Sequence, residues 1–186
     1  EDALIAAVRD CWASLWTPRA ISYREQMGIE HDQVAMAVVV QIMVDSDVSG
    51  ILFTANPATG ERTEMIANAS FGLGEAIVSG QVTPDTYIFD RENNKLKETI
   101  IGAKDRMIIS DGEGGTIWQA VTASKKDTSS LSEKQLAALV DLAIKSEQHF
   151  GTPQDIEWAV KDDLLYLLQS RPITNLPPAP LKDLKW

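Results

Sequence analysis

No stretch of this sequence constrains the fold more than residues 152–173, TPQDIEWAVKDDLLYLLQSRPI. It reads as two short strands joined by a tight, charged turn. Asp155, Glu157, Gln169 and Arg171 interrupt runs built from Ile156, Trp158, Val160, Leu165, Leu167 and Leu168. Polar groups set in apolar strands are costly to bury unless a partner satisfies them. Two carboxylates, an amide and a guanidinium are what a Mg2+-nucleotide would satisfy, with oxygens for the hard cation and a guanidinium for phosphate.

Strand geometry decides whether these four residues can act together. Alternation puts Asp155, Glu157 and Ala159 on one face and Ile156, Trp158 and Val160 on the other. A three-residue loop, Lys161-Asp162-Asp163, pairs Val160 with Leu164 and Asp155 with Gln169, and leaves Glu157 diagonal to Gln169. All four polar groups then share a face, with Ile156, Trp158, Tyr166 and Leu168 opposite. A two-residue Asp162-Asp163 turn instead puts Gln169 on the face opposite Glu157 and scatters the set. A shared polar face therefore requires an odd loop or a bulge. The alternative is a surface hairpin with a solvated polar side.

Composition narrows the partners. The chain has 186 residues, of which 44% are hydrophobic and 24% charged, so one or two small domains with a sizeable core are expected. A net charge of -10 argues against nonspecific binding to nucleic acid or anionic membrane, and an anionic ligand such as ATP would have to be met by local cations or a metal. Cys11 is the single cysteine, which excludes an internal disulfide and a cysteine-based zinc site. A cytoplasmic setting is the default expectation. No apolar run reaches the length of a membrane span or an export signal. The chain opens inside a helical pattern without an initiator Met, and is expected to be a piece of a longer protein.

The remaining elements predict an α+β fold. Residues 1–16 form a helix whose stripe, Leu4, Val8, Cys11, Trp12 and Leu15, is expected to be buried, Cys11 with it. Thr17-Pro18 opens a second helix that stops near Gly28, with Arg19 and Arg24 as surface or helix-pairing charges. Residues 34–44, VAMAVVVQIMV, read as a buried strand containing Gln41. Strands are expected over 49–55, 64–70, 86–90, 96–101, 107–109 and 116–123, and Asp111–Gly115 as a loop that lacks a P-loop's Lys-Ser/Thr. Lys104 and Arg106 are expected to be solvated. Ser132–Phe150 is a helix with a capping box from Ser132 and Gln135, a Leu131–Leu136 staple and Gly151 at its end. Residues 176–180, LPPAP, read as a stiff linker.

Four stretches, MAVVVQIMV, SGILFTANPATG, ASFGLGEAIVSGQVTPDTYIFD and DIEWAVKDDLLYLLQSRPIT, together resemble the ATP-binding domain of the phosphoenolpyruvate synthases. Pyruvate phosphate dikinase and the rifampin phosphotransferases share that domain. The resemblance implies an ATP-grasp-like subdomain, a mainly antiparallel sheet packed with helices. Residues 1–175 would be the C-terminal portion of the domain and 176–186 a Pro-rich tail. It further implies Mg2+ and phosphate contacts from Asp155, Glu157, Gln169 and Arg171, and an adenine-binding hinge at Gln41, Met43 and Val44. Phosphate-side roles would fall to Thr54 and Glu75. Glu157 and Arg171 would carry the catalytic part.

The implied reaction belongs to the parent enzyme. ATP, pyruvate and water give phosphoenolpyruvate, AMP and phosphate through a phosphohistidine. A preceding N-terminal subdomain and a phosphohistidine domain of the same polypeptide are the expected partners. Neither His31 nor His149 sits in a motif like that acceptor, so this chain alone is expected to bind Mg-ATP weakly or not at all and not to turn it over. A rifampin phosphotransferase with another acceptor and a non-catalytic binding module remain as alternatives.

Overall fold

The computed structural model describes residues 2–93, 95–174 and 176–177. Residues 178–180 of the proposed linker therefore lie outside the described residues. The chain divides into two units, Glu1–Met43 and Val44–Trp186.

In the first unit, α1 spans Asp2–Ala13 and α2 spans Pro18–Met27, each followed by a short 3-10 turn. Thr17 Oγ1 accepts from Ala20 N, Pro18 takes the first helical position and Gly28 closes α2. Helix placement is as expected; burial is not. Leu4 and Trp12 are each 50% exposed, and Cys11 is exposed too. A periodic stripe is buried only where another apolar face lies against it, and this small unit supplies none. Arg24, expected as a surface or helix-pairing charge, is buried: its guanidinium lies over the Trp16 ring and its Nε donates to His31 Nδ1 at 2.9 Å. The strand expected over 34–44 is also absent. Val39, Ile42 and Met43 are 83%, 90% and 68% exposed, in a segment without ladder bonds. An apolar β-branched run becomes a strand only when a neighbouring strand takes its backbone groups.

The second unit holds β1 (Val48–Phe53), β2 (Glu64–Phe71), α3 (Glu75–Val78), β3 (Asp85–Asp90), β4 (Lys95–Ile100), β5 (Arg106–Ser110), β6 (Thr116–Ala120), α4 (Ala123–Lys126), α5 (Glu133–Phe150), β7 (Gln154–Lys161) and β8 (Leu164–Pro172). Six strands form one antiparallel sheet in the order β4-β3-β2-β1-β7-β8. β5 and β6 make a separate hairpin around the Asp111–Gly115 loop. Helix α5 begins with the predicted capping box and buries Leu136, Leu139, Val140 and Ala143. These pack with Leu52, Met65, Ala67, Tyr87, Ile156, Trp158 and Val160 from one face of the sheet. Gly50 makes room for Trp158: a Cβ there would stand 2.7 Å from the indole and run into the Asn68 carbonyl.

Lys104, expected in solvent, is fully buried and paired with Asp85, which is fully buried as well. Asp85 also accepts from Gly102 N, Ser130 N and Ser130 Oγ. A lone buried ammonium would be prohibitive; a carboxylate with several donors makes it tolerable.

Gly72 joins the hairpin to the sheet. It has φ +76°, its N donates to Asp47 O, and it forms a parallel bridge to Ile108. A Cβ at Gly72 would collide with the Ile108 carbonyl oxygen. Gly72→Ala is therefore expected to cost about 1–3 kcal/mol. Amide exchange should show protection lost first in β5 and β6, and unchanged protection there would refute the link.

Candidate functional site

The turn between β7 and β8 has two residues, Asp162 and Asp163, with φ of 49° and 61°. Both lie in the left-handed region, where Asp is better tolerated than most residues and which two-residue hairpins require. Asp47 anchors the turn: its carboxylate accepts from Lys161 Nζ and Asp162 N, each at 3.0 Å. The Asp162 amide first, and Lys161 with it, hold the Asp47 carboxyl below its ordinary value of 3.8. A lowered carboxyl adds stability above its unfolded pKa and loses it as pH falls through the folded value. The side chain is 53% exposed, so the contribution is less than about 1 kcal/mol. The protection factor of the Asp162 amide, its exchange relative to the intrinsic rate at each pH, should fall on acidification below pH 3.8, and Asp47→Asn should remove that fall.

This turn corrects the three-residue loop, and a bulge restores what the loop was invoked to achieve. Val160 pairs with Leu165, Ala159 with Tyr166 and Trp158 with Leu167. The register then shifts at Leu168, so that Glu157 faces Gln169 and Asp155 faces Arg171. Leu165 packs towards the core, whereas Tyr166 falls on the polar face, reversing the expected side. A bulge places two residues opposite one and inverts the alternation beyond it. All four polar residues thus share the face turned away from α5.

Asp155 and Arg171 form an ion pair, with Arg171 Nε at 2.9 Å and Nη2 at 2.8 Å from the same Asp155 oxygen. The Asp155 side chain is 12% exposed and that of Arg171 is 64% exposed. Among the described residues, Arg171 Nη1 has no hydrogen-bond partner. Among the described residues, neither the Glu157 carboxylate nor the Gln169 amide has a side-chain hydrogen-bond partner. A cleft of about 330 Å3 is lined by Asp155 and Arg171 together with Phe53, Pro57, Pro172, Ile173 and Thr174. A larger cleft, about 420 Å3 between β5–β6 and Asp45–Asp47, contains none of the polar set, and Glu157 and Gln169 line neither cleft.

Other sequence candidates sit elsewhere. Thr54 is fully buried and its Oγ1 accepts from Gln154 N at 2.9 Å, so its hydroxyl is committed to the backbone of β7. Glu75 accepts from Thr116 Oγ1 at 3.3 Å. Gln41 and Met43 are exposed in the first unit, and Val44 is half-buried at the start of the second. Sequence reasoning passed over Asn68 and Thr86, which lie on the open face in the same cross-strand row as Glu157. Each is a polar residue beside an isoleucine on the same face, Ile66 for Asn68 and Ile88 for Thr86.

The donor set fits Mg2+. That cation usually takes one or two protein carboxylates and leaves its other positions to water and phosphate. Glu157 with Gln169 meets this need, and among the described residues there is no cluster of three or more His, Cys, Asp or Glu side chains placed for a metal. Nor is any described helix long and apolar enough to cross a membrane.

The chain is similar to known proteins over nearly its whole length. The family model described as pyruvate phosphate dikinase, AMP/ATP-binding domain, matches residues 1–184. A probable phosphoenolpyruvate synthase of Archaeoglobus fulgidus is 47% identical over 95% of this chain and 23% of its own length. The phosphoenolpyruvate synthase of Pyrococcus furiosus is 46% identical over 94% of the chain and 22% of its own length. A rifampicin phosphotransferase of Bacillus cereus is 43% identical over 97% of the chain and 20% of its own length. The chain thus spans about a fifth of the length of the curated relatives it matches. With the whole described fold inside that match, the chain belongs to the pyruvate phosphate dikinase AMP/ATP-binding domain family.

Proposed function

We propose that β7 and β8 form the Mg2+- and phosphate-binding wall of the nucleotide site in a phosphoenolpyruvate-synthase-like phosphotransferase. The observation that carries this reading is the bulged register, which sets Glu157 against Gln169 and Asp155 against Arg171 on one open face. Glu157 and the Gln169 amide oxygen are the metal's protein donors. Asp155 fixes the Arg171 guanidinium from one side and leaves Nη1 directed at a phosphate oxygen. Bound Mg2+ would supply charge neutralisation on the phosphates.

The protein's own part is positioning and electrostatics. Arg171 orients the phosphate chain and stabilises the charge that builds as a phosphoryl group leaves. In the whole reaction a histidine elsewhere in the polypeptide displaces AMP from ATP and keeps the β-phosphoryl group, while water takes the γ-phosphoryl group as phosphate. It then passes the group to pyruvate. The rifampicin phosphotransferase among the relatives favours a second reading, with the same nucleotide wall and a different acceptor.

Titrating this chain with Mg-ATP, followed by calorimetry or tryptophan fluorescence, tests the wall directly. The expected result is weak, saturable binding that Glu157→Ala removes, without turnover. Binding indifferent to both Glu157→Ala and Arg171→Ala would overturn the assignment, and robust ATP hydrolysis by this chain would overturn its description as one wall of a site.

A further inference from the structure

The row that contains Gln169 and Glu157 does not end at β7. Register carries it across the sheet: Glu157 lies opposite Ile51, Ile51 opposite Asn68, and Asn68 opposite Thr86. All are on the face turned away from α5. Asn68 and Thr86 are half-buried, and Ile66 and Ile88 flank them on the same face.

Asn68 Nδ2 donates to Thr86 Oγ1 at 2.8 Å, which fixes the amide plane. Among the described residues nothing donates to Asn68 Oδ1. An amide anchored on one side, with its oxygen left open in an apolar surround, differs from a side chain that only staples two strands. A strand-stapling pair is complete in itself. That oxygen reaches solvent, so a ligand donor can take the place of water on it.

The open atom also dictates the ligand chemistry. A carbonyl oxygen accepts and cannot donate, so it does not bind a phosphate oxygen; it binds a donor, O–H or N–H. Asn68 is two strand spacings from Glu157, roughly 10 Å, too far to share the inner shell of one cation held there. A Mg2+-nucleotide spans that distance and carries two kinds of O–H, the waters of the metal and the hydroxyls of the sugar.

We infer that Asn68, oriented by Thr86, is a further nucleotide-contacting residue whose amide oxygen accepts a hydrogen bond from an O–H of the bound Mg2+-nucleotide. This rests on the nucleotide-site reading of β7 and β8.

The test follows the side-chain amide resonances of Asn68 and Gln169 by NMR in this nitrogen-15-labelled chain, which detects even millimolar binding. Mg-ATP, Mg-tripolyphosphate and a dideoxy-ATP with Mg2+ are added in turn. Both side-chain amides should shift saturably with Mg-ATP, and Asn68→Ala should weaken binding about 5- to 10-fold. A response of Asn68 to ATP and tripolyphosphate alike identifies a metal-bound water. One that appears with ATP and is lost with dideoxy-ATP identifies a sugar hydroxyl. If the Gln169 amide shifts while that of Asn68 stays still with every ligand, this inference falls and the hairpin reading stands. If neither shifts, both fall. These readings use the unsubstituted chain, so a misfolded Asn68→Ala variant would not blunt them.

Discussion

Asp85→Ala is expected to cost about 3–5 kcal/mol of stability, the largest loss from any single substitution proposed for this chain. The carboxylate ties together three segments that are distant in sequence. It accepts from Gly102 N at 2.9 Å and from Ser130 N and Oγ at 2.7 Å each, and it pairs with Lys104. Tyr87 adds a weaker bond at 3.3 Å, and its hydroxyl accepts in turn from Leu131 N at 3.2 Å. Strand β3, the segment after β4 and the approach to α5 therefore meet at one buried acceptor. Alanine would leave the Lys104 ammonium, fully buried, with only the Gly102 carbonyl at 3.1 Å. Urea unfolding followed by circular dichroism measures the loss. The double variant Asp85→Ala/Lys104→Met should recover a large part of it, because the uncompensated charge leaves with the lysine. A single-variant loss below about 1 kcal/mol would show that solvent reaches the pair.

Arg171→Ala is expected to do the reverse, leaving stability almost untouched and collapsing turnover in the complete enzyme. The side chain is 64% exposed, so its ion pair with Asp155 is worth at most about 1 kcal/mol to folding. The same guanidinium faces the phosphates in the proposed site, where losing one such group typically lowers kcat by about 10²–10³. Thermal unfolding and ATP turnover, measured side by side, separate the two effects. Turnover retained with its Mg2+ dependence intact would sink the role given to Arg171. Comparing the two variants also separates structural from functional polar residues: Asp85 is sealed among donors, whereas Arg171 is held on one side and open on the other.

Much of this was legible in the sequence wherever the signal was local. The capping box of α5 and the Thr17-Pro18 start of α2 depend on residues within one helical turn, and both are present. The hairpin was legible in kind, and parity arithmetic correctly required an odd loop or a bulge. Which of the two occurs depends on Asp47, more than a hundred residues away, whose carboxylate binds the Asp162 amide and so favours the tight turn. Non-local pairings stayed hidden. Nothing beside Lys104 in sequence announces Asp85, and nothing beside Cys11 or Val39 announces whether another surface covers them. Among the proposed site residues, Glu157, Gln169, Asp155 and Arg171 stand out in the sequence because polar groups break an apolar alternation. Thr54 carried no such sign of its commitment to Gln154.

The bulge at Leu168 has a consequence for how this hairpin tolerates change in length. Leu165, Leu167, Gln169 and Arg171 are in phase along the sequence, yet the first packs towards α5 and the last two face outwards. The extra residue makes the strand a phase inverter and also a store of one residue of slack. Deleting Leu168 would draw β8 straight and still leave Gln169 opposite Glu157 and Arg171 opposite Asp155. The outer half of β8 can therefore lose a residue without disturbing the inner half. Added residues are a different matter, because the slack is already extended and the next insertion would rotate the amide and the guanidinium into the core.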